Sequence, residues 1–127
     1  FEGNTGPYIL YTIVRIKSIL NKYQAQGKSL EGLVIESAHN ESEKALMLEV
    51  AKNKEVMKPA YEEPAPHKVC AYIYDVANAF NRFYHETKIL SEENEARQKS
   101  YLALLILAKK VLEACIDVLG FEAPERM

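Results

Sequence analysis

The sequence predicts an all-α fold: a bundle of three long helices and one shorter helix, joined in part by an irregular, Pro-rich connector. Two observations lead there. Apolar residues recur at alternating steps of four and three in long stretches, which lines up one face of an α-helix. Start and stop residues bracket those stretches, and no segment shows the strict alternation of a half-buried strand. A chain of 127 residues suits one domain with one sizeable core, and 1–127 is read as that domain.

The first helix is predicted from about Pro7, a favoured first helical residue, to Gln26. Ile9, Ile13, Ile16, Leu20 and Tyr23 make its apolar stripe, and Gly27 stops it as a C′ residue. Ahead of it, Gly3-Asn4-Thr5-Gly6 reads as a turn whose glycines permit positive φ. A turn so well specified, with no initiator Met before it, leads us to expect a piece of a longer protein, residues 1–6 being the junction to an upstream domain. Leu30 to Ile35 is open between a short helix and an extended piece.

Asn40 begins a second, shorter helix, with Glu43 completing an N-cap pattern. Leu46, Met47 and Val50 are its buried face, and Asn53 ends it. Residues 55–65, with Pro59 and Pro64 and then Pro66, are the connector; Val56, Met57 and Tyr61 are expected to pin it to the core. The third helix runs from Pro66 to about Glu86, with Val69, Ile73, Val76, Phe80 and Phe83 as its stripe. The fourth is expected to follow Ser91 as N-cap, with Glu92 and Glu93 in its first turn, and to reach Leu119 before Gly120. Its middle, Tyr101 to Ala108, is apolar almost all round and belongs at the centre of the bundle. Pro124 keeps the tail out of the helix.

Several function classes fall away on composition. No apolar run reaches the roughly 18 uncharged residues of a membrane span. Sixteen basic against eighteen acidic residues give a formal charge of −2, which counts against binding nucleic acid by bulk electrostatics. Any such role rests on a local patch plus stacking. Cys70 and Cys115 sit in helical, apolar surroundings and read as reduced core thiols of a cytoplasmic protein, with a disulfide or metal site as the alternative.

Catalytic patterns are thin. His39, His67 and His85 are scattered; His67 and Cys70 could share a metal but have no second pair. Tyr84-His85-Glu86 lacks the second histidine of a metalloprotease motif. Glu62-Glu63 and Glu92-Glu93 carry no sign of a pocket that would tune them for acid–base work. Gly3 to Gly6 lacks the Gly-Lys-Ser/Thr ending of a P-loop. The informative feature is a face. Tyr8, Tyr11, Arg15, Ser18 and Lys22 fall together on the first helix, about 140° from its apolar stripe. Either the tyrosines pack on neighbouring helices and the cations are solvated, or rings and cations together receive unpaired bases and phosphates. Near the end of the third helix Phe80 lies within the apolar arc, while Tyr84 stands at its edge.

Gly3-Asn4-Thr5-Gly6-Pro7-Tyr8-Ile9-Leu10-Tyr11 with Arg15 one turn on, Ala77-Asn78-Ala79-Phe80-Asn81-Arg82-Phe83-Tyr84, Leu102-Ala103-Leu104, and Leu119-Gly120-Phe121-Glu122-Ala123-Pro124-Glu125-Arg126-Met127 together resemble the arginyl-tRNA synthetase family. The order and spacing agree over essentially the whole chain with its DALR-type anticodon-binding domain, the all-α domain of a class I aminoacyl-tRNA synthetase. The resemblance implies a module that holds the anticodon stem–loop of arginine tRNA, with Tyr11, Arg15, Phe80, Tyr84 and Met127 as its contacts. It implies a parent enzyme whose separate catalytic domain uses ATP and arginine. This chain lacks that domain's histidine and lysine motifs and is expected to have no catalysis and no cofactor of its own. The implied partners are arginine tRNA and the parent's catalytic domain, not DNA or membrane, with the chain a monomer. Two positions depart from the family pattern: Leu10 replaces a common glutamine, and Tyr101 replaces a common arginine, removing a cation and offering another aromatic surface. A second reading of the same Tyr/Arg surface is a helical protein-docking domain, since both residues are frequent interface anchors. A partner retained after RNA digestion would favour it.

Overall fold

The computed structural model describes residues 5–53 and 66–119. It contains four helices in these segments: α1 (Thr5–Ala25), α2 (Glu41–Ala51), α3 (Pro66–Glu86) and α4 (Glu95–Leu119), and no strand among the described residues. Thr5 and Gly6, expected in a turn ahead of Pro7, open α1 instead. Gly3 and Asn4, the 55–65 connector and the tail from Gly120 to Met127 lie outside the described residues.

The α1 stripe is buried as expected: Ile9, Ile13, Ile16, Leu20 and Tyr23 all join the core. Gly27 stops the helix with φ at +83°, and its N–H reaches the Gln24 carbonyl at 2.9 Å. Glycine takes that conformation without a Cβ penalty. The stretch left open between helix and strand is neither. It turns at Glu31-Gly32 and then runs irregularly to Asn40, with Leu30, Leu33 and Ile35 against the core. Ser100 Oγ on α4 gives one backbone group the partner that a ladder would have given, accepting from Glu36 N at 2.8 Å, and Lys28 Nζ ties the loop to α4 by donating to Gln98 Oε1 at 2.7 Å.

Asn40 caps α2 through an extended backbone, its Oδ1 accepting from Glu43 N at 2.8 Å. The reciprocal half is displaced by one residue. Glu43 is fully buried and takes the N–H of His39, not of Asn40, at 2.6 Å. Tyr72 from α3 closes the other end of α2, donating to the Glu49 carbonyl at 2.6 Å. Burial first, then the nearby Cys115 and Glu49, push that phenol well above its ordinary range.

The start of α4 corrects the sequence reading. Asn94, not Ser91, is the N-cap: its Oδ1 accepts from Arg97 N at 3.0 Å, and its carbonyl from Gln98 N at 2.9 Å. Glu92 and Glu93 precede the helix, and Glu95 occupies its first turn. The reason is tertiary. Starting the helix here brings buried Gln98 to the α3–α4 turn, where Nε2 donates to the carbonyls of Ile89 and Leu90 at 3.1 and 3.0 Å.

α4 touches α1, α2 and α3, and its Tyr101–Leu105 run is buried on every side. α3 shares that central place, packing on α1, α2 and α4. Phe80, Phe83, Leu102, Leu105 and Leu112 meet at the common interior with essentially no exposure. Tyr101 is buried too, edge-on to Phe83 at 5.4 Å, with its hydroxyl 3.4 Å from Glu92 Oε1. The expectation of an added aromatic surface there is therefore wrong: the ring fills core space. Leu10, the other departure, is half-buried against the core. Cys70 is half-buried and Cys115 fully buried, and neither forms a disulfide.

Candidate nucleic-acid interface

α1 places Tyr8, Tyr11, Thr12 and Arg15 on successive turns, and α3 places Tyr74, Asn78, Asn81 and Tyr84 on the facing side of one seam. The seam is zipped by polar side chains. Asn81 is its hub and is almost completely buried. Its Nδ2 carries two hydrogens, shared among three acceptors: Tyr8 Oη at 3.1 Å, Thr12 Oγ1 at 3.0 Å and the Ala77 carbonyl at 3.0 Å. Its Oδ1 accepts from Arg15 Nη1 at 2.7 Å. Tyr8 Oη donates to Asn78 Oδ1 at 2.6 Å, and Thr12 Oγ1 to the Tyr8 carbonyl at 2.9 Å. A buried amide with all its groups satisfied fixes one register between the helices.

That register decides where Arg15 goes. Its guanidinium carbon lies over two rings at once, 4.7 Å from the centroid of Tyr11 and 4.4 Å from that of Tyr84. Nη2 also donates to Tyr11 Oη. Each cation–π contact contributes about 0.5–2 kcal/mol, more as the site is desolvated. No carboxylate pairs with Arg15 among the described residues. The two hydrogen bonds leave N–H donors of the guanidinium unused. Tyr11, Tyr84 and Tyr74 remain 49%, 37% and 44% exposed. The result is a solvent-facing strip of flat rings around an uncompensated cation, on a chain of net negative charge. Such a strip can stack unpaired bases and hold a phosphate or a base edge.

The sequence-predicted residues divide into three groups. Tyr11, Arg15 and Tyr84 are brought together across the seam. Phe80 is a correction: it is fully buried, 6.1 Å from Tyr84 centroid to centroid, so its ring supports Tyr84 from the core and presents no face to a partner. Its place in the apolar arc explains why. Met127 lies outside the described residues. The sequence reading missed Asn81, Asn78, Thr12 and Tyr74. A signal for Asn81 was available: a polar residue sits inside the buried arc between Ala77 and Phe83, and such a residue needs partners. Of the remaining α1 face, Tyr8 is half-buried in the polar zipper, so for it the packing alternative holds, while Lys22 is exposed.

Comparison with known proteins agrees with this picture. A family profile described as the DALR anticodon binding domain matches residues 9–127. The chain is 65% identical, over its whole length, to an arginine–tRNA ligase from Agathobacter rectalis, and 47% identical to one from Alkaliphilus oremlandii. It spans 22% of the length of each of these relatives. A solved Campylobacter jejuni protein named as an arginyl-tRNA synthetase superposes with a TM-score of 0.80 at 26% identity, over 98% of this chain and 27% of that one. The all-helical architecture, the sequence relatives and the matched family converge: the chain belongs to the DALR anticodon-binding domain family of arginyl-tRNA synthetases.

Proposed function

We propose that the chain is a tRNA-binding module that recognises the anticodon stem–loop of arginine tRNA by aromatic stacking and local cationic contacts. In doing so it positions the tRNA for arginylation by a separate, ATP-dependent class I catalytic domain of a parent arginine–tRNA ligase. The chain itself performs no chemistry and needs no cofactor; ATP and arginine belong to that catalytic domain, which is its second partner. It acts in the cytoplasm as a monomer and does not use DNA. The observation that carries the reading is Arg15, held between the exposed rings of Tyr11 and Tyr84 with no counter-charge among the described residues. Unstacked loop bases need flat apolar surfaces, and their backbone needs a nearby cation. Met127 keeps its proposed role as a further contact.

The test is a fluorescence titration of the chain with arginine tRNA and with the same tRNA altered at the middle anticodon base. The proposal expects the alteration to weaken binding. Equal binding of both RNAs would contradict it.

A further inference from the structure

One turn beyond Arg15, α1 presents Ile19, which is buried under an open cleft of about 550 Å³. The volume is that of sites that hold small organic groups, roughly 300–1,000 Å³. Tyr84 is a shared wall: one ring borders both the Arg15 strip and this cleft. Ile19, Ile89 and Leu90 give the apolar part of the lining, and Gln26, His85 and Lys88 lie along its polar part. The His85 imidazole stands edge-on to Tyr84 at 5.4 Å. None of the lining residues is acidic, and Lys88 has no ion pair among the described residues. The neighbouring Glu86 is turned to Arg82 at 3.3 Å.

We infer that this cleft receives a second unpaired nucleotide, the chain neighbour of the one stacked on Tyr11, Arg15 and Tyr84. The inference rests on the proposed function of that strip. Its base lies on the apolar lining against Tyr84, and its phosphate sits at the rim on Lys88. Two physical arguments fix this orientation. The C-terminal end of α3 carries the negative pole of the helix, which disfavours an anion deep in the cleft. A flat base of mixed polarity suits the Ile19, Ile89 and Leu90 lining. Ile19 lies on the order of 6 Å along the helix from Arg15, a spacing a single strand crosses between neighbouring nucleotides.

The experiment titrates the chain with an RNA hairpin carrying the arginine anticodon loop, over a range of salt. Three variants are compared with the unaltered chain: Lys88→Ala, Gln26→Trp and Tyr11→Ala. Lys88 and Gln26 are exposed, so both changes spare the core, and thermal melts check this. Lys88→Ala is expected to lower the magnitude of the slope of log K against log salt by about 0.7, the share of one single-strand phosphate. Gln26→Trp, which fills the cleft, is expected to weaken binding by about fivefold or more, on the scale of a lost stacking contact. Tyr11→Ala reads the strip independently. If Tyr11→Ala weakens binding while Lys88→Ala and Gln26→Trp leave it unchanged, the cleft is overturned and the strip stands. If the hairpin binds no form of the chain, both fall.

Discussion

The Arg15 guanidinium lies beside two phenols and an amide, and among the described residues no carboxylate pairs with it. Removing a ring from this arrangement isolates the stacking contribution. Tyr11→Ala is expected to cost about 1–3 kcal/mol of RNA binding, read by titration, because every base has a face to stack. Its effect on folding is small, since the ring is half in solvent. Asn81→Leu behaves differently. It keeps the branching at Cγ but strips Arg15 Nη1, Tyr8 and Thr12 of a shared partner, so about 1–3 kcal/mol of stability should go in urea denaturation. RNA binding should weaken as well, because the guanidinium is no longer held over both rings. Periodicity set Tyr11 and Arg15 on one face of α1, but it does not say which α3 residue meets them. The family resemblance supplied Tyr84; the amide that sets the pairing came only with the packed helices.

At the scale of elements, α3 was legible from end to end, because Pro66 and an unbroken apolar stripe mark it without competitors. The start of α4 was not. Ser91 and Asn94 are both good cap residues, and local sequence does not choose between them; the bonds of Gln98 to Ile89 and Leu90 do. Asn94→Ala should therefore cost about 0.5–2 kcal/mol in denaturation, and Ser91→Ala close to nothing. The same turn titrates. The Asn94 N–H, followed by Arg97 and the Tyr101 hydroxyl, holds the Glu92 carboxyl below its ordinary 4.5. A lowered folded value means stabilisation that is present above 4.5 and lost as pH falls through the folded value. Glu92→Gln should show a smaller loss of thermal stability on acidification below that point than the unaltered chain.

For the whole molecule, α3 and α4 each pack on the other three helices, and the seam between α1 and α3 displays the strip. Cys115 lies in α4 with no exposure, and burial pushes its thiol up to about 11. It is protonated at neutral pH, so iodoacetamide should label Cys70 well before Cys115 in the folded chain, as read by mass spectrometry. The helix packing was readable because hydrophobic burial is averaged over many residues and tolerates local error. The strip depends on a few polar contacts across a seam, and one register step would scatter it.

The most direct measurement is an NMR titration of the chain with the arginine anticodon hairpin, following intermolecular contacts between ring protons and loop bases. The account predicts contacts from Tyr11 and Tyr84 to unpaired loop bases, together with a shift of the Arg15 side-chain resonance. Saturating RNA that leaves those three signals in place while perturbing another surface, such as exposed Val34 and Leu107, would contradict it.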